Sequence, residues 1–124
     1  MSAGSALQAA LASAIEGQQQ LTGVYDGPPP RAAFPYAVID AGSESDWGHK
    51  SGEGREVMVA LTLWDEEPAR LAVLADEVEA RVIGVPSVAG WQLVSIRLLR
   101  RRTVRDVAGP WASAIDFRAR LLAD

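Results

Sequence analysis

The sequence predicts an α+β fold: an antiparallel four-stranded sheet with two helices packed on one face, in the order α-β-β-α-β-β. Three observations carry this. In "REVMVALTLWD", residues 55–65, Val57, Val59, Leu61 and Leu63 alternate strictly with Glu56, Met58, Ala60 and Thr62, the signature of a half-buried strand. In residues 65–84, Leu71, Leu74, Ala75, Val78 and Val82 recur at helical spacing. Residues 91–105 and 111–123 are two further alternating runs joined by the short turn "DVAGP", which reads as a second antiparallel hairpin.

The first element is a short amphipathic helix. Leu7, Leu11, Ala14 and Ile15 form its apolar stripe, Ser5 to Gln8 fits a capping box, and Gly17 is placed to end it. The chain is then punctuated through Pro28-Pro29-Pro30, a run with no amides to donate, which favours a stiff extended path. Val24-Tyr25 is a brief extended piece before it, and "YAVID", residues 36–40, is a short strand. Residues 42–54, rich in Gly and Ser, then form an extended, mobile hairpin loop leading into the strand at 55–65. The second helix takes Asp65 as its cap, acids in its first turn, Pro68 early and Gly84 as its stop. In the last pair, Val94, Ile96 and Leu98 point one way and Leu93, Ser95, Arg97 and Leu99 the other. Trp111, Ile115, Phe117, Ala119 and Leu121 share a face opposite Asp116, Arg118 and Arg120. All of this fits a single domain spanning 1–124.

Composition narrows the function classes. The 124 residues are 48% hydrophobic and 23% charged, ordinary for a soluble globular chain, with a formal net charge of −4. That charge argues against a dedicated nucleic-acid binder. There is no cysteine, which removes disulfides, thiolate metal sites and thiol nucleophiles. The N-terminus lacks a basic region and a continuous apolar run, so it is not read as a signal peptide, and no stretch is long and apolar enough to span a membrane.

The segment "SDWGHKSGEGRE", residues 45–56, is the place to look for chemistry, because it holds the only histidine and the only lysine. His49 beside Ser45, Ser51 and Asp46 has the residue types of a nucleophile, base and orienter. Yet groups crowded into one glycine-rich loop cannot hold each other to catalytic tolerance. Glu44, Asp46 and Glu53 lack the spacing of a calcium loop, and "SGEGRE" lacks the spacing and the following helix of a phosphate loop. The reading is therefore no catalytic, cofactor or metal residue, and no enzyme.

Binding surfaces remain. Trp47 has no local core to join, and an exposed tryptophan on a polar loop points to a protein partner. Asp46, Trp47, His49, Lys50 and Arg55 form the candidate protein interface. "RLLRRRTVR" concentrates arginines on one strand; Arg100 and Arg102 project to one face, Arg97, Arg101 and Arg105 to the other, and Arg118 and Arg120 lie on the neighbouring strand. Such a surface suits edge protection, acidic protein partners or phosphates, without the interleaved aromatics of single-strand binding.

Taken end to end, the chain resembles the tail terminator, or tail completion, proteins of long-tailed phages and gene transfer agents. The resemblance rests on the helix "ALQAALASAI", on "GVYDGPPPRAAFPYAVID" with its V-Y-D-x-x-P and P-Y strand motif, and on "SDWGHKSGEGREVMVALTLWD". The helix "LAVLADEVEARV" and the terminal strand pair complete it. It implies a structural virion protein without activity or cofactor. Such a protein assembles as a ring, typically a hexamer, that caps the head-proximal end of the tail tube. Its implied partners are further copies of itself, the tail tube protein, head-completion or connector proteins, and DNA passing through the lumen without sequence-specific contact; a membrane is not among them. The implied location is the virion tail at the head–tail junction, after assembly in the bacterial cytoplasm. Arg100, Arg102, Arg118 and Arg120 are then expected at a subunit interface or facing the lumen. A head-closure component on the portal side and a small DNA-binding module are the alternatives.

Overall fold

The computed structural model describes residues 1–29 and 31–124. The chain runs α1 (Ala3–Glu16), β1 (Val24–Tyr25), β2 (Tyr36–Asp46), β3 (Gly54–Asp65), α2 (Pro68–Ile83), β4 (Trp91–Arg105) and β5 (Trp111–Ala123). The strands form one five-stranded sheet in the order β1-β2-β3-β5-β4. The α+β class matches expectation; the four-stranded antiparallel sheet does not. Val24-Tyr25 pairs in parallel with Ala37-Val38, which makes the sheet mixed and adds a fifth strand at its edge. Two residues are too few for any periodicity to show, so only the partner strand reveals them as sheet. Of the proline run, Pro30 lies outside the described residues.

Both helices lie on one face, where Leu7, Leu11 and Ile15 of α1 and Leu71, Leu74, Val78 and Val82 of α2 are fully buried. They meet Ile39 of β2, Val57, Leu61 and Leu63 of β3, and Ile115, Phe117 and Leu121 of β5, all at 0% exposure. The alternation in β3 and β5 thus reports its face faithfully.

The first helix begins earlier than the capping-box reading places it. Ser2 is the N-cap, its hydroxyl accepting from the Ser5 amide at 3.1 Å. Gln8 is thereby released for a different task. The β2–β3 register shifts between Asp40 and Ser43, and such a bulge frees backbone groups from the ladder. Gln8 takes up two of them, donating to the Ile39 carbonyl at 2.9 Å and accepting from the Ala41 amide at 3.0 Å. Gly4 permits the close approach, since a Cβ there would stand 2.6 Å from the Ala41 carbonyl oxygen. Gln8→Ala should therefore cost about 1–2 kcal/mol by orphaning part-buried backbone groups. A urea titration with unchanged slope and a lower midpoint is the expected result; an unchanged midpoint would refute it.

The remaining differences are local. Strand β2 continues to Asp46 and β3 starts at Gly54, so the hairpin tip spans 47–53 rather than 42–54. Glu67, not Asp65, is the N-cap of α2, and no acid lies in its first turn because Glu66 and Glu67 precede Pro68. In β4 the register against β5 shifts between Leu93 and Ser95 and again between Leu98 and Arg100. Each extra residue reverses the side on which later residues project. Leu93, Ile96, Leu98 and Arg101 consequently align with the core-facing Leu121, Ala119, Phe117 and Ile115. Arg97, Arg100 and Arg102 align with the outward Arg118, Asp116 and Ala114, so Arg97 moves to the face of Arg100 and Arg102.

Candidate functional site

Among the described residues, no second layer covers the sheet face opposite the helices. It is built from the other half of each alternation: Asp40 and Ser43 of β2, Glu56, Met58 and Ala60 of β3, Asp116, Arg118 and Arg120 of β5, and the arginines of β4. Met58, Leu99, Val94 and Val104 remain 41–45% exposed, which sets large apolar side chains among guanidinium groups. A trough of about 350 Å³ crosses this face, bounded by Asp40, Ser43, Met58, Leu99, Arg100 and Asp116.

The arginines divide by side. Arg101 points to the helices, where it bridges Asp76 at 2.8 Å and Glu79 at 3.1 Å and ties β4 to α2. On the outer face Arg120 pairs with Glu56 at 3.0 Å. Arg97, Arg100, Arg102 and Arg118 have no acidic partner among the described residues. The Nε of Arg118 is buried and meets no acceptor among the described residues. Guanidinium groups without a salt bridge thus stand beside exposed apolar side chains on this face.

The hairpin tip is more ordered in its bonding than a glycine-rich segment suggests. Asp46 and Arg55 face each other at its base, 3.6 Å apart, and Arg55 also reaches Glu53 at 3.0 Å. Trp47 donates its amide to the Gly54 carbonyl, and a Cβ at Gly54 would lie 2.3 Å from the Trp47 carbonyl oxygen, so that position requires glycine. His49 and Gly52 close a tight turn through two backbone bonds of 3.0 and 3.2 Å. The Nδ1 of His49 accepts the Ser51 amide at 3.2 Å, which occupies the nitrogen a triad would assign to its orienting acid. His49 and Lys50 stand exposed.

Trp47 is half-buried, because the Arg120 guanidinium lies over its ring, 5.4 Å from the centroid. This contact joins the two candidate groups, loop and arginine face, between residues far apart in the sequence. No local signal in the sequence could have announced it. The tip therefore rests against the end of the outer face and does not stand apart from it.

A third cluster surrounds the V-Y-D and P-Y motif. Tyr36 stacks on Phe34 at 5.7 Å and meets the edge of Tyr25 at 6.0 Å. Burial, with the neighbouring Tyr25, raises the Tyr36 hydroxyl above its ordinary pKa. The Thr22 amide donates to the Pro35 carbonyl, and that of Ala37 to Gly23, so the motif fastens the β1 edge to β2. Its role here is structural. Among the described residues no three His, Asp or Glu side chains converge as metal ligands.

Residues 5–122 match the family described as tail completion protein gp17. A chain from a solved structure titled "Virion of native gene transfer agent (GTA) particle" shares the fold, with a TM-score of 0.75, 24% identity and 94% of each chain covered. No curated protein matches the sequence.

Proposed function

The chain belongs to the tail completion protein gp17 family, and we propose that it acts as a ring that caps the head-proximal end of a tail tube. In this reading it ends tube polymerisation, presents the surface to which the head joins, and leaves a central passage for DNA. The observation that carries the reading is the uncovered sheet face, where four arginines with no acidic partner among the described residues are set among exposed Met58, Leu99, Val94 and Val104. A surface of that kind gains by being covered, and a head-to-tail contact whose rotation closes covers it on every copy at once. A subunit that binds the tube end but offers no equivalent end to the next one stops growth. The role needs no catalytic chemistry, and it places the protein in the virion at the head–tail junction after assembly in the cytoplasm.

The test is a particle-producing strain lacking this chain. Tubes of unregulated length without heads are expected, and normal-length tubes beside leaking heads would instead indicate a head-closure role. Steeply salt-dependent DNA binding by the purified protein, with tails unaffected, would favour a DNA-binding module.

The hairpin tip, with Asp46, Trp47, His49, Lys50 and Arg55, is the part we assign to a neighbouring subunit or the tube. Trp47→Ala should leave the thermal midpoint within about 4 °C of wild type, since it removes a half-exposed cation–π contact worth about 0.5–1 kcal/mol. Joined particles should fall at least about tenfold, as expected for loss of an aromatic anchor. Undiminished particle yield from that variant would exclude the tip as an anchor.

A further inference from the structure

We infer that the contact between copies is made edge to edge: the arginine-bearing face of β4 and β5 on one copy docks on the acidic cleft between α1 and β2 of the next. This rests on the ring reading above and assigns its interface. The sheet order puts β4 at one lateral edge, and β2, fringed by only two residues of β1, at the other. The two edges carry opposite charge in excess: Asp116 stands across from Arg100 in the β4–β5 register, but the arginines around it outnumber it. On the β4 side Arg97, Arg100, Arg102 and Arg118 form no salt bridge among the described residues. On the β2 side an open cleft of about 400 Å³ is lined by Asp26, Asp40 and Glu44 together with Ser2, Ser5 and Gln8.

None of those three carboxylates has a basic partner among the described residues. The acids of α2 facing β4 are already engaged, since Asp76 and Glu79 hold Arg101. A self-complementary dimer through either edge would oppose like charges, which costs several kcal/mol. Opposing the two different edges satisfies both, and a contact between different patches on opposite sides of a subunit is the kind that propagates into a ring. DNA would meet the arginines but leave the acidic cleft uncovered. The second copy of this chain is therefore the occupant chosen.

The chain has no cysteine, so thiol cross-linking is clean. A chain carrying both Arg102→Cys and Glu44→Cys, assembled and treated with a short bismaleimide, should give a ladder ending at one closed species. Either variant alone should give none, and the two mixed should give dimers only. Independently, Arg100→Glu with Arg102→Glu, and Asp26→Arg with Glu44→Arg, should each lower ring yield by about tenfold or more. Combining all four substitutions in one chain should restore it, with circular dichroism showing each variant folded. Rings visible in electron micrographs but yielding no ladder, or untouched by the single reversals, would overturn this interface and leave the ring reading standing. So would failure of the combined reversal to restore assembly. Absence of rings from wild-type particles would overturn the ring reading itself.

Discussion

Phe117→Ala is expected to lower stability by about 3–5 kcal/mol, the range for truncating a buried aromatic. Phe117 is the largest of the fully buried side chains, at 0% exposure. It sits in the middle of β5, paired with Val59 of β3 on one side and Leu98 of β4 on the other. Truncation removes apolar area from the core and leaves a cavity that two flanking strands, held by ladder bonds, cannot collapse to fill. Since domains of this size are stable by only about 5–15 kcal/mol, the loss takes a large share of the total. Urea unfolding should show a much lower midpoint. Met58→Ala is the matched control, because Met58 lies on the same sheet but is 41% exposed on the outer face. It should cost under about 1 kcal/mol. Equal losses at the two sites would mean that the outer face is as tightly packed as the core, contrary to the layer arrangement.

The contrast between Phe117 and Met58 was legible in the sequence, because in β3 and β5 the two-residue period runs without interruption. In β4 it was not. The two bulges each insert a residue, so Arg97 and Leu98 exchange the faces that simple alternation gives them, and the same shift sets Arg97 beside Arg118. The hydrophobic pattern of β4 is too sparse at its arginine-rich end to betray the slip. The strand β1 escaped for lack of length, and the role of Gln8 because side chain and bulge lie 31 and 33 positions apart. Loop composition misled in a different way. Glycines at 48, 52 and 54 suggested reach, yet Gly54 is there for a close carbonyl approach, and Trp47 found its partner in Arg120. The arginine surface was visible as a run of charge; which of its members are free depended on acids distant in sequence.

Asp65 gives the second large effect, and it is one whose pH dependence identifies its cause. Read from the sequence it is a helix cap; in the fold it is a buried carboxylate at the junction of β3 and α2, at 0% exposure. Arg70 grips it with two bonds, Nε to Oδ2 at 2.7 Å and Nη2 to Oδ1 at 2.6 Å, and the Glu67 amide adds a third at 3.3 Å. Burial pushes the carboxyl pKa up. The Arg70 hydrogen bonds, the Glu67 and Glu66 amides and the Arg70 charge together outweigh it and hold the group below the ordinary range. A depressed folded pKa means stability that is fully present above the unfolded value of about 3.9 and is lost as pH falls through the lower folded value. Asp65→Asn should therefore cost about 2–3 kcal/mol near neutrality, below the usual figure for a buried pair because Arg70 is one-third exposed. The thermal midpoint should drop by roughly 10 °C. The gap between wild type and variant should shrink below pH 4 as the native carboxylate is protonated. Arg70→Met alone leaves the buried carboxylate without its counter-charge, so burial should then raise its pKa and shift acid unfolding to higher pH. The double variant, with neither charge present, should be more stable than the sum of the single losses predicts. A pH-independent difference between wild type and Asp65→Asn, or strictly additive losses in the cycle, would show that packing at the strand–helix junction, and not the ion pair, is what Asp65 supplies.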